Sequence, residues 1–190
     1  MIRIRLFTLW AVMSYIGAAC SAAPSPAAIQ PTATIPQAEQ TEATILDLSN
    51  AEYPIDAAST GKARLINGLF EEQSAPDSAT KTKIWLGDAQ TIGDLNGDGT
   101  DDAVALLIVD AGGSGTFTYL AAIINENGVA KPVASIFLGD RIIVKSLNIQ
   151  SGEIEVKLLT RQPDEPMANE PTVELTQKFM LENLQLKELK

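Results

Sequence analysis

The sequence predicts a mainly β domain, an antiparallel sandwich or barrel-like fold, on three observations. From Thr44 onward, short runs rich in apolar and β-branched residues recur at regular spacing between turn signals. One run, Ala103 to Val109, is continuously apolar, as expected of a strand buried on both faces. No stretch of the domain has convincing amphipathic helical spacing, and only residues 41–49 could form a short helix.

The 190-residue chain is not all domain. Residues 1–19 read as an export signal: Arg3 and Arg5 give a positive start, and Leu6 to Ala19 is an apolar run of signal length, too short to span a bilayer comfortably. The run ends in Gly17-Ala18-Ala19-Cys20, small residues before the only cysteine. This arrangement resembles the lipobox of bacterial lipoproteins, with Gly17 where an aliphatic residue is usual. The resemblance implies cleavage before Cys20 and its lipidation, and it is preferred over an ordinary secretory signal cut after Ala19 or Ala23 and over an uncut anchor. A mature chain acylated at Cys20 has no free thiol and no disulfide, so the fold must hold through its core, with or without a metal. Residues 20–43 then form an attachment cysteine and a disordered linker: Ala, Pro, Ser, Thr, Gln and Glu dominate, and Pro24, Pro26, Pro31 and Pro36 interrupt it. As a coil such a linker spans roughly 25–30 Å.

Residues 44–190 read as one domain. Ala63 to Ile66, the pair Asn67-Gly68 and Leu69 to Glu71 predict a hairpin. Further strands are expected at Lys81–Leu86, Ala103–Val109 and Thr116–Ile124, followed by the turn Asn125–Gly128. Ile142–Val144 and Leu147–Ile149 lead to the turn Gln150-Ser151-Gly152, and Ile154–Leu158 alternates with period two. Val173–Leu181 and Leu184–Leu189 close the chain in the same style.

The chemistry concentrates in Gly93-Asp94-Leu95-Asn96-Gly97-Asp98-Gly99-Thr100-Asp101-Asp102. Asp94, Asn96 and Asp98 place side-chain oxygens at alternate positions, Thr100 offers a carbonyl and Asp102 closes the run. Hard oxygens in a tight turn suit Ca²⁺, which takes six to eight of them. Without a cation the three carboxylates repel; at about 5 Å and an effective dielectric near 20, each pair costs roughly 3 kcal/mol, so an empty loop should loosen. It is not an EF-hand loop, since the twelfth position is Ala105 rather than Glu and a strand follows it. The segment resembles the calcium loop of FG-GAP and VCBS repeats, found in integrin α-subunit propellers and secreted bacterial proteins. That resemblance implies Asp94, Asn96, Asp98 and Asp102 as side-chain ligands. One copy without an internal period argues against a full propeller.

From about residue 60 the blocks Gly93–Gly99, Gly112–Phe117, Leu138–Arg141 and Pro163–Met167 resemble a family of small exported bacterial proteins. This implies export and a shared domain, and it brings no catalytic residues.

Net charge is −10, and removing residues 1–19 takes away two arginines and no acids, giving −12. Such a domain is a poor partner for nucleic acid. Expected partners are the membrane, through the anchor, and an unknown protein or glycan, in the cell envelope or secreted. Other candidates favour bland readings. Gly112–Gly115 lacks the Gly-Lys-Ser/Thr ending of a phosphate loop, and Ser114 has no histidine to activate it. Trp85 with Tyr119 could stack on a sugar, but sheet packing is favoured. Asp140, Arg141, Arg161 and Asp164 could line the cleft of a carboxylate hydrolase, the alternative to a non-enzymatic, calcium-stabilised binding or envelope-structural domain.

Overall fold

The turn chemistry sets the architecture. Asn67-Gly68, Asn127-Gly128, Ser151-Gly152 and Asn183-Leu184 all hold both central residues at positive φ, the backbone that matches the twist of paired antiparallel strands. Three of these turns close hairpins between long strands, so the chain meanders. The structure, a computed structural model, describes residues 46–75 and 77–190. The export signal, Cys20 and the linker expected over residues 1–43 lie outside the described residues.

After one turn of 3-10 helix (Leu48–Asn50) come β1 (Glu52–Pro54), β2 (Lys62–Arg64), β3 (Leu69–Gln73), β4 (Lys81–Gly93), β5 (Asp102–Asp110) and β6 (Phe117–Glu126). Then follow β7 (Val129–Asp140), β8 (Ile143–Gln150), β9 (Glu153–Thr160), β10 (Val173–Glu182) and β11 (Gln185–Leu189). All pairings are antiparallel: a five-stranded sheet β3-β4-β5-β6-β7, a four-stranded sheet β11-β10-β9-β8 and a small pair β1-β2. The mainly β, antiparallel fold is as the sequence predicts.

β5 is the central strand of the larger sheet and is buried on both faces. Its alternate residues feed two cores. Ala103, Ala105, Leu107 and Val109 pack with Tyr53, Leu65, Ile84 and Ile123 beneath the β1–β2 cap. Val104 and Leu106 pack with Leu120, Leu147, Ile154, Val156 and Phe179 between the two large sheets. Tyr53 is fully buried, and its hydroxyl donates to the Leu48 carbonyl (2.8 Å), which pins the cap's start.

Three expectations change. The Asn67-Gly68 turn forms, but the strands around it meet only through the Ile66–Leu69 bridge. β2 pairs with β1 and β3 with β4, because the chain crosses there from the cap to the larger sheet. The 81–86 strand runs on to Gly93 past an irregularity between Leu86 and Gln90. The helix considered over 41–49 is, within the described residues, only the 3-10 turn Leu48–Asn50.

Candidate metal centre

Because β4 reaches Gly93 and β5 starts at Asp102, and these two residues pair, the acidic run is the connection of a β4–β5 hairpin. Gly93 is needed where β4 meets β8: a Cβ there would stand 2.9 Å from Ile149 Cγ2. Gly97 and Gly99 take φ of 80° and 82°, a left-handed backbone that winds the loop back on itself.

Asp94 sits at the centre of this winding. Its Oδ1 accepts from the Asn96 and Gly97 amides (3.2 and 2.7 Å) and its Oδ2 from the Gly99 amide (2.9 Å). The Asn96 Oδ1 accepts from the Asp98 amide (2.8 Å), and the Asn96 side-chain amide donates to Asp98 Oδ2 (2.9 Å). Asp98 Oδ1 accepts from the Thr100 amide (2.7 Å). The Asn96 amide, then the Thr100 N–H, hold the Asp98 carboxyl below the usual carboxylate range. Asn96, Asp98 and Thr100 are exposed.

Asp102 differs. It is 0 % exposed. Its Oδ2 accepts from the Leu95 amide (3.0 Å) and its Oδ1 from the Asn125 amide (2.9 Å), 23 residues along the chain. Burial pushes its carboxyl up, with repulsion from Asp98 and Asp94 in the same direction; the two amide bonds pull it back. Asn125, which the sequence reading treats only as a turn residue, completes the dock. Its side-chain amide donates to the Asp101 carbonyl (3.0 Å), and its Oδ1 accepts from the Gly128 amide (2.7 Å). The Asn-x-Asn-Gly turn spelling is the only sequence trace of this.

Six main-chain N–H groups thus donate to the three carboxylates. They answer the repulsion that the sequence argument expects to loosen the loop. Among the described residues no group of three or more His, Cys, Asp or Glu side chains is placed to hold a metal ion. Asp102 points inward, onto the Leu95 and Asn125 amides. The remaining oxygens of the run are two carboxylates, one side-chain amide oxygen and one main-chain carbonyl, from Asp94, Asp98, Asn96 and Thr100. This all-oxygen donor set fits a hard cation in chemistry, with solvent completing the coordination. A cavity of about 540 Å³ lies on one flank, between Asn96, Asp98 and Thr100 and the Asn125–Gly128 turn.

The other candidates resolve differently. Asp140 Oδ1 accepts from the Thr116 amide and Arg141 Nε, and its Oδ2 from Arg141 Nη2. Arg141 also donates to the Met167 carbonyl, and Arg161 to the Asn169 and Arg141 carbonyls. Those three residues form a brace that ties the 161–172 loop to the end of β7. Asp164 takes no part in the brace. Its neighbour Glu165 accepts from the Asn169 side chain instead.

The brace makes a pH prediction. Arg141, with help from the Thr116 amide, holds Asp140 below the usual carboxylate range. A depressed folded-state value means that its stabilisation is present above about pH 4, where the unfolded carboxyl ionises, and is lost as pH falls through the folded value. Asp140→Asn is therefore expected to cost a few tenths to about 1 kcal/mol at neutral pH and nothing below the folded value. Urea midpoints followed from pH 7 into the acid range check this: the difference between the two proteins should shrink as the pH falls, and one that does not shrink at all would contradict it.

Trp85 and Tyr119 do not form one aromatic patch. Trp85 pairs with Ile108, and Ile108 with Thr118, so Tyr119, one residue on, points to the opposite face. Gly112–Gly115 is the exposed loop of the β5–β6 hairpin, with Thr116–Ile124 leading into strand rather than helix. Comparison with family models, curated proteins and solved structures finds no match for the chain.

Proposed function

We propose that this chain is an exported, lipid-anchored β domain that binds Ca²⁺ at its 94–102 loop and has a binding or envelope-structural role rather than a catalytic one. The observation that carries the reading is the loop itself. In a chain of net charge −10, it places Asp94, Asn96, Asp98 and the Thr100 carbonyl on one hairpin connection, closed by Asp102, whose buried carboxylate anchors the loop to the Leu95 and Asn125 amides. The glycine-wound backbone presents hard oxygens on successive alternate residues, as a calcium loop requires. Cys20 after the apolar leader supports the anchor, and the Pro-rich 20–43 segment supports a tether that holds the domain off the membrane. The Asp140 carboxylate, Arg141 and Arg161 are occupied in a brace, which weighs against the carboxylate-hydrolase alternative.

Isothermal titration of EDTA-treated protein with CaCl₂ tests the ion. The expected result is heat with a one-to-one endpoint and a raised melting temperature, equivalent to about 4 kcal/mol at a thousandfold excess over Kd. No heat and no thermal shift would sink it. Palmitate labelling in a bacterial host tests the anchor; incorporation that survives Cys20→Ser would reject it.

A further inference from the structure

We propose that the outer edge of β7 binds an extended, cationic peptide segment by strand addition. β7 is a terminal strand of the five-stranded sheet and pairs with β6 alone. Alternate main-chain N–H and C=O groups along it therefore face away from the sheet. A trench of about 750 Å³ follows this edge. Its floor is five consecutive residues, 133–137; its walls are Pro54–Asp56 from the cap and Leu184–Leu186 from the β10–β11 hairpin. Successive strand residues point to opposite faces, so only a trench that runs along the edge can be lined by all five.

The strand is guarded at its start, and its middle is tied to the cap wall by Ser135 Oγ, which donates to the Pro54 carbonyl (2.5 Å). Lys131 and Pro132 blunt its start, as edge strands usually require. Over 133–137 the sequence is Val-Ala-Ser-Ile-Phe, with no charge and no proline, and Phe137 is 49 % exposed. The wall provides an independent sign. Of the four tight turns with both central residues at positive φ, three carry Gly second; the fourth carries Leu184, at φ +61° and 56 % exposed. A bulky apolar side chain rarely adopts that backbone, and here it gains no burial for doing so. Its position on the trench wall gives it a partner to meet.

Charge selects the occupant. Asp56 is the one charged residue lining the trench, and the ion pairs among the described residues use other carboxylates. It lies beside Tyr119, whose phenol is pushed up to about 12 by burial and by this carboxylate. A Lys or Arg on an added strand would pair with it. An oligosaccharide fits less well, because Tyr119 and Phe137 meet edge to face (5.5 Å, 64°) rather than as a flat stacking platform. A row of main-chain donors and acceptors matches another main chain. The site shares no residue with the 94–102 loop, so peptide binding and calcium binding stand or fall separately.

The probe is a fluorescein-labelled synthetic peptide of about seven alternating Val and Lys residues, roughly one strand's length, compared with its Val–Glu counterpart. The Lys peptide is expected to bind the full protein at least about tenfold more tightly, a difference of about 1.4 kcal/mol. It should also slow amide exchange over 133–137. Asp56→Lys, at an exposed position and with its fold checked by circular dichroism, is expected to reverse the preference; Ala134→Pro should weaken both peptides. The proposal is overturned by equal affinity for the two peptides, or by unchanged exchange over 133–137. It is also overturned if chitohexaose protects that segment instead, or if the protein protects it by dimerising without peptide.

Discussion

Asp102→Ala is expected to destabilise the calcium-free protein by about 2–6 kcal/mol, because two buried N–H donors would each lose their acceptor at about 1–3 kcal/mol. The donors are the Leu95 and Asn125 amides, and the carboxylate between them is fully buried. One amide belongs to the acidic loop and the other to the end of β6, so the residue staples the β4–β5 connection to the β6–β7 hairpin. At roughly 3 °C per kcal/mol for a domain of this size, the melting temperature should fall by about 6–18 °C. Asp102→Asn keeps the shape but turns an NH₂ toward one donor, and it should recover no more than half of the loss. Urea unfolding in EDTA measures both variants without any contribution from a cation. A loss below about 1 kcal/mol for Asp102→Ala would mean that water replaces the carboxylate freely, against its burial.

What the sequence makes legible here follows from how local each signal is. Ala103–Val109 reads as a doubly buried strand because burial on both faces writes itself into seven consecutive apolar residues, and β5 is that strand. Asn127-Gly128 and Ser151-Gly152 are spelled by the residues that tolerate positive φ. β7 is not legible as a strand: Pro132 and Gly139 break its pattern, and an edge strand tolerates both because one side of its backbone needs no partner. Residues 87–93 fail for a related reason. The expected strand stops at Leu86, before Gly87 and Asp88, yet β4 runs on past the irregularity, and a Cβ at Gly87 would press on Leu106 (3.1 Å).

The loop shows the same division. Its spacing announces oxygen donors for Asp94, Asn96, Asp98 and Asp102 alike. Nothing in ten residues can announce that Asn125 arrives through two hairpins to occupy Asp102. Trp85 and Tyr119 fail together as a patch because their parity is set across three strands, by register rather than by composition.

The two ends of the acidic run are therefore expected to separate under mutation, and Asp94→Ala supplies the second half of the test. Asp94 receives three loop amides, from Asn96, Gly97 and Gly99, and the last two residues are exposed. When it is removed, water can satisfy those amides, so the calcium-free domain should lose about 1 kcal/mol or less. On the proposed calcium reading the same change deletes one of the two carboxylates, Asp94 and Asp98, left to the ion. Affinity should then fall at least about a hundredfold, equivalent to about 2.7 kcal/mol, since hard-cation affinity follows the number of charged oxygens in the loop. Titration calorimetry gives the affinity and urea unfolding in EDTA gives the stability, so each variant yields a pair of numbers. The expected pattern is crossed: Asp94→Ala loses the ion and keeps the fold, while Asp102→Ala loses stability before any ion is added. If Asp94→Ala costs as much stability as Asp102→Ala, the amide network around Asp94 is holding the hairpin and the loop is a structural turn. If Asp94→Ala binds Ca²⁺ as the unaltered chain does, the ion is held elsewhere and the motif has been misread.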